Sequence, residues 1–442
     1  MEMYVFQRKM QYETYQATSG VDTSQIHFQI NPPFGGCTLK GKSLIMKLPL
    51  TIVLKKIDGN NWAATSTPFT KHAYGLAQFP FARVMEDMTV LVNGNHEFKY
   101  TPSVFHHALK TYTKLDDPKI QQEFAMPDLF SRFNGYTGST TYNSNHPLAA
   151  HGTTTGFMSR ASHFTESPMY IDDNGIRSST PTPRVAIEFV VTMPIPMEIF
   201  KKDIHNITSI NIMCRMMSKE NLIYLYNTAG TNNTELAGAL FDFQFKTLRF
   251  PSPMCTALWE IPSDRVYYPV QRYRNKRYEF ITLPDTKMNT FNNVDHSVTS
   301  NLFTFGKASK MYVYSQLNPY NIPNTVATYD KTYMSCVFGV IRKFALMLNN
   351  QTYFAHYDEN MIWEMCERNG FFHSFMNAHG GSFYANGFTT GAGTVVCVDL
   401  QKDVKGEDVN TARVSVEYDY ALQIPSYNNV YIVLEYDEEI EI

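Results

Sequence analysis

At 442 residues the chain is longer than one ordinary sandwich core can organise, and its length points to two domains. Hydrophobic residues make up 43% and charged residues 18%, so a large core can form while a sparsely charged surface is left to face other protein. A net charge of -3 supplies no global basic field and excludes a histone-like or tail-driven nucleic-acid binder, while 28 Tyr and 31 Phe against 3 Trp favour half-buried strands.

The opening segment, residues 1–24, is polar and without clear period, and reads as an extended arm. Ser43 to Lys55 reads as a strand whose Pro49, lacking an amide donor, predicts an edge or bulged position. A strand from Arg83 to Val92 ends at Asn93-Gly94, the strongest short turn signal in the chain. Behind a Thr-Pro start, Val104, Phe105, Ala108, Leu109 and Tyr112 fall at helical spacing and predict a short helix over 102–115. Residues 116–183 are rich in Gly, Ser, Thr, Asn and Pro and read as a long loop insertion, which its aromatics favour as ordered. Alternation returns in Arg184 to Thr192, then in short runs at Ser209 to Met216, Leu222 to Tyr226 and Phe241 to Phe250. Pro251-Ser252-Pro253 interrupts the pattern, so the expected domains are an arm over 1–24, a first unit over 25–250 and a second over 251–442.

The second half repeats the plan. Strands are expected at Lys310 to Gln316 and within Lys331 to Leu348, the latter ending at Asn349-Asn350, followed by an aromatic cluster and a helix over Asp358 to Arg368. VLVNGNHEFKY before PSVFHHALKTY corresponds to LMLNNQTYFAHY before DENMIWEMCER: strand, Asn-rich turn, aromatics, helix, in that order. This is one tandem duplication, without the short period of a solenoid. Arg413 to Leu422 alternates cleanly, and Val430 to Tyr436 closes the chain's last strand. Few helices and many short strands predict an all-β protein of two antiparallel sandwiches.

Chemistry-bearing motifs are scarce. Six cysteines (Cys37, Cys214, Cys255, Cys336, Cys366, Cys397) show no paired spacing and read as buried thiols in a reducing compartment. No signal peptide opens the chain, no apolar run approaches the ~18 residues of a membrane span, and N-x-T matches at Asn206, Asn232 and Asn350 read as turns. His106-His107 and His373 with His379 lack carboxylate-supported ligand spacing, so no metal or cofactor is expected. The glycines around NGFTTGAGT precede a strand, where a phosphate cradle needs a helix start. Nucleophile motifs are missing and no carboxylate cluster is legible, so no catalytic residue is assigned and the chain is expected to be no enzyme. The run QRYRNKR at Gln271 to Arg277 would place Arg272, Arg274 and Lys276 on one strand face, a candidate nucleic-acid or inner-surface contact. The plainer reading is a solvated strand edge. The acidic end, Asp437 to Glu441, reads first as a solubilising tail and second as a docking strip for a basic neighbour.

With the repeat in view, VTMPIPMEIFKKDIHNITSINIMCRM, SKMYVYSQLN with GVIRKFALMLNNQTYF, and ARVSVEYDYALQIPSYNNVYIVLEYD together resemble the double jelly-roll major capsid proteins of icosahedral DNA viruses, on a distant or small-virus branch. The resemblance runs over most of Thr38 to Asp437 and implies two tandem antiparallel jelly-roll β-sandwiches with short helices and a long loop insertion. It implies a structural subunit of the virion capsid, assembled inside the host cell into pseudo-hexameric homotrimers. Residues 116–183 would then form an outward tower. Neighbouring capsomers and minor capsid and penton proteins are the implied partners, with genome contact at the inner surface; an internal membrane stays open. The alternative from another class is a carbohydrate-binding or carbohydrate-active β-sandwich, which the few Trp and the lack of an export signal disfavour.

Overall fold

The computed structural model of the chain describes residues 9–18, 25–56, 58–63, 74–76, 85–101, 164–216, 223–225, 239–262, 269–289, 296–317, 339–371, 375–379, 393–404, 411–419 and 426–442. In the first half the strands are β1 (Lys9–Gln16), β2 (Gln25–Ile30), β3 (Thr38–Leu39), β4 (Ile45–Lys56), β5 (Tyr74–Leu76), β6 (Met85–Val92), β7 (His96–Tyr100), β8 (Phe164–Ile171), β9 (Arg177–Ser178), β10 (Arg184–Pro194), β11 (Ile210–Met216), β12 (Ile223–Leu225), β13 (Ala239–Gln244) and β14 (Met254–Ile261). One sheet runs β1-β14-β4-β10-β8-β9, with β3 on β14 and β13 on β4; a second runs β2-β11-β6-β7, and β5 pairs with β12 in a short third. Alternation drives their packing. Met46, Leu48, Leu50, Ile52 and Leu54 of β4 are all buried, and they share one core with Ile26, Phe28 and Ile30 of β2 and with Ile210, Ile212 and Cys214 of β11.

The second half contains β15 (Arg272–Asn289), β16 (His296–Thr299), β17 (Phe303–Thr304), β18 (Lys310–Leu317), β19 (Val340–Leu348), β20 (Gln351–Tyr357), helices α1 (Glu359–Arg368) and α2 (Phe375–Ala378), β21 (Val395–Asp399), β22 (Thr411–Asp419) and β23 (Ser426–Glu441). Its sheets run β15-β23-β18-β21 and β16-β22-β19-β20, with β17 on β22. Setting aside the accessory strands (β3, β5, β8, β9, β12, β13 and β17), each half has eight, and in chain order they lie 1-8-3-6 in one sheet and 2-7-4-5 in the other. That shared order is the jelly roll, present twice. The repeated Asn-rich turns hold equivalent places. Both join strands four and five of their roll, and both carry two residues of positive φ: Asn93 and Gly94 in the first roll, Asn349 and Asn350 in the second.

Several expectations are corrected by the pairing. The segment read as an arm contributes β1, which pairs with β14 over its whole length, from Lys9↔Ile261 to Gln16↔Met254. Its polar composition hid it, because an edge strand needs only one buried row. The interruption at Pro251-Ser252-Pro253 lies inside the first roll, since β14 is that roll's closing strand; the rolls part between Ile261 and Arg272. β4 is no edge strand. It is flanked by β10 on one side, and on the other by β14 up to Lys47 and by β13 from Thr51. Pro49 sits in the gap between those two neighbours, where a missing amide costs least. Within the expected insertion, β8 and β9 extend the first sheet beyond β10. The helix expected over 102–115 and the rest of that insertion, to residue 163, lie outside the described residues. The helix expected from Asp358 is α1, with the Asp358 side chain accepting from the Met361 amide as N-cap.

Candidate functional site at the junction of the two rolls

The acidic end is a strand. β23 continues through Asp437 to Glu441 and pairs with the basic run of β15, the outer strand of its sheet. In register, Arg272 stands opposite Glu441, Arg274 opposite Glu439 and Lys276 opposite Asp437. Arg272 Nε donates to Glu441 at 2.8 Å, and the neighbouring Arg277 donates to Glu438 at 2.6 Å and to Glu279, with its guanidinium 4.3 Å from the Tyr436 ring centre. Tyr436 in turn donates to Glu279 at 3.0 Å; burial first, then that carboxylate, raises its pKa to about 12. Arg272, Arg274 and Lys276 thus alternate along β15, each standing in register opposite a carboxylate of β23. A phosphate arriving there would have to displace those carboxylates. The outer pairs are solvent-exposed and contribute at most about 1 kcal/mol each.

Beneath this ladder lies Glu435, only 2% exposed. Lys276 reaches it from β15, and the Tyr312 hydroxyl of β18 donates to it at 2.9 Å. Burial pulls the Lys276 ammonium down, but the charge and hydrogen bond of Glu435 outweigh it, and the net shift is upward. A buried carboxylate that lost Lys276 would be left uncompensated, which is the expensive case.

The same ladder joins the rolls. Tyr273, between Arg272 and Arg274, is buried in the core of the first roll, as is Ile442; Ile440 packs against that core, and Tyr278 packs against both cores. The Tyr273 hydroxyl accepts from the His205 amide at 3.3 Å and donates to Gln271 at 3.1 Å. On the first roll's side, Lys40 binds Asp203 and, at 3.1 Å, the buried Glu260, while Asp203 accepts from the Gly41 amide at 2.7 Å. Only glycine fits at 41, because a Cβ there would lie 2.7 Å from the Lys201 carbonyl oxygen. None of these anchors carries a local motif; the one readable hint was a basic run and an acidic run of similar length in a duplicated β chain.

Among the described residues, no group of three or more His, Cys, Asp or Glu side chains is placed to hold a metal, and no helix is long and apolar enough to cross a membrane. Of the predicted histidines, His379 is buried beside Phe375, and His106, His107 and His373 lie outside the described residues. The glycine-rich stretch is likewise outside them up to residue 392. Cys37, Cys214, Cys255, Cys366 and Cys397 are free and buried; burial raises Cys214 and Cys366 to about 12, so these thiols are inert at neutral pH.

No protein-family description and no curated sequence matches the chain. Solved structures do. A chain of the Sputnik virophage, from its cryo-EM structure, superposes with a TM-score of 0.74 at 16% identity, covering 100% of this chain and 88% of that one. The mavirus major capsid protein superposes with a TM-score of 0.68 at 15% identity, covering 99% and 88%. At such identities the likeness is one of fold, and it extends over both rolls: the chain is a double jelly roll.

Proposed function

We propose that this double jelly roll is a major capsid protein, a structural subunit of the virion whose mechanism is assembly. The observation that carries the reading is the superposition on the mavirus major capsid protein over 99% of the chain, both rolls included. Physical reasoning supports it. Two rolls of equal strand order in one subunit, repeated by a threefold axis, present a footprint of near-sixfold symmetry, which suits hexagonal tiling of a shell. The docked cores fix the angle between the rolls, as a rigid tile requires. Trimers would be held by a large, obligate-type interface, and neighbouring capsomers by polar rim contacts. Minor capsid and penton proteins are the further partners of such a shell. A scaffold role is also what a charge-balanced ladder favours for Arg272, Arg274 and Lys276, in place of a genome contact. The comparisons lend the carbohydrate-binding alternative no support.

Light scattering on the purified protein tests the proposal. A subunit of 50.7 kDa is expected at about 150 kDa, and a monomer that persists at high concentration would overturn the reading.

A further inference from the structure

The core of the second roll turns polar at one end. Asp285 of β15, His296 of β16, Ser315 of β18, Tyr418 of β22 and Asn428 of β23 converge there between the two sheets, all buried. Register accounts for the convergence. His296 pairs with Tyr418, their rings stacked at 5.1 Å, while Ser315 pairs with Val430 and Asn428 with Leu317, so Ser315 and Asn428 are diagonal neighbours on one face. Tyr418 crosses between the sheets and donates to Asp285 at 2.6 Å; His296 Nδ1 donates to the same carboxylate oxygen at 2.6 Å, and the Lys287 amide donates to its other oxygen at 2.8 Å.

Asp285 and the Tyr418 proton are thus satisfied. Four atoms around them are not: His296 Nε2, Ser315 Oγ, and Asn428 Nδ2 and Oδ1 are buried without a hydrogen-bond partner. Burial pushes the Tyr418 pKa up, and Ser315 and Asn428, which face its hydroxyl, ease its ionisation in part; those contacts are too long or too bent to complete the serine oxygen or the amide. Gly339 backs onto the cluster, where a Cβ would press within 2.9 Å of the Tyr418 ring and 3.0 Å of the Ser315 Cβ. So many orphaned polar atoms in one place call for a ligand that completes them.

The atoms themselves select its chemistry. Asn428 offers a donor and an acceptor together, His296 Nε2 offers a lone pair once Nδ1 carries the proton, and Ser315 can do either. A cation would leave the amide N–H unanswered and an anion the amide oxygen, so the ligand that satisfies the whole set is a small neutral molecule that both donates and accepts. We propose that this end of the second roll is a binding site for internal water, held by His296 Nε2, Ser315 Oγ and the Asn428 amide, and bridging the two sheets. The bridge would lie at the strand ends that lead into residues 290–295, 318–338 and 420–425.

A crystal structure at a resolution that shows ordered solvent tests the site directly. The expected result is a solvent peak at roughly 2.7–3.2 Å from at least two of the three side chains. Absence of a peak overturns the proposal, whichever partners those atoms then find. Thermal unfolding of Asn428→Leu reads the same question by sign. In a hydrated site leucine deprives the water of a partner and lowers Tm; in a dry site it removes two orphaned atoms at similar volume and raises Tm, which would overturn the proposal. Should Asn428→Leu fail to fold, Ser315→Ala, which deletes a single oxygen, gives the same reading, with a lowered Tm expected and a raised one contrary.

Discussion

Asn93 and Asn349 do the same work in the two rolls. Each holds a left-handed backbone, φ 54° and 46°, and each aims its side-chain oxygen across the sheet end: Asn93 at the Thr208 amide (2.7 Å) and hydroxyl (3.1 Å), Asn349 at the Thr411 amide (3.3 Å) and hydroxyl (3.4 Å). Alanine at either position pays the left-handed penalty and loses those bonds, together about 2 kcal/mol of unfolding free energy in denaturant titrations. Glycine restores only the backbone term, so Asn→Gly is expected to cost about half as much; equal costs would show that the backbone is not under strain. The turns were legible because Asn-Gly and Asn-Asn state a φ preference locally; their partners Thr208 and Thr411 were not, being chosen by register. Asp285 was invisible for the same reason. Burial pushes its pKa up, but hydrogen bonds from His296, Tyr418 and the Lys287 amide outweigh that and hold it below the ordinary value. A depressed carboxylate contributes stability above its unfolded pKa and loses it as pH falls through the folded one. Tm should therefore decline in the acid range below about pH 4, and Asp285→Asn should flatten that decline. An unchanged acid slope in the variant would remove Asp285 from the cause.

Among the elements, β1 changes most between sequence and structure. Alternation was weak because its outward row includes Tyr12, 77% exposed, and Met10, 51% exposed, while its inward row is largely polar. Yet Tyr15 packs on the first core, accepts from Trp259 Nε1 at 3.1 Å and donates to the Asn31 carbonyl at 2.6 Å. Deleting residues 1–16 strips β14 of its neighbour and leaves an open sheet edge over the fully buried Trp259. The first loss on deletion is then the stability of the subunit: a Tm lowered by many degrees, or insoluble protein. A truncated chain with unchanged Tm, defective only in forming shells, would restore the view of an arm that clamps neighbours. β4, β6, β10, β11, β12, β18 and β22 were readable to within a few residues, since one buried face imposes period two on the sequence, whereas strands such as β2, β14 and β16 were not read at all. β23 was read too short, because its last five residues are mostly charged and their pairing depends on a basic strand more than 150 positions away.

At the scale of the molecule, the rolls are coupled more tightly than a linker implies. Tyr273 and Ile442 are buried in the opposite roll's core, and Tyr278 is shared. Calorimetry should accordingly give one unfolding transition, and Tyr273→Ala, with a cost of about 3 kcal/mol expected for a buried aromatic, should lower it or split it in two. Two transitions in the unaltered protein would mean that the junction contributes little. The sequence by itself determined an all-β chain, a duplication, the alternating core rows and the two Asn-rich turns, because each follows from short-range preference or from which face of a strand must be apolar. Only the tertiary structure decided the place of β1, the closing of the first roll beyond Pro253, the marriage of the basic and acidic runs, and the polar end of the second core. Those depend on which distant strands become neighbours, and period two says that a residue points inward without saying what it will meet there.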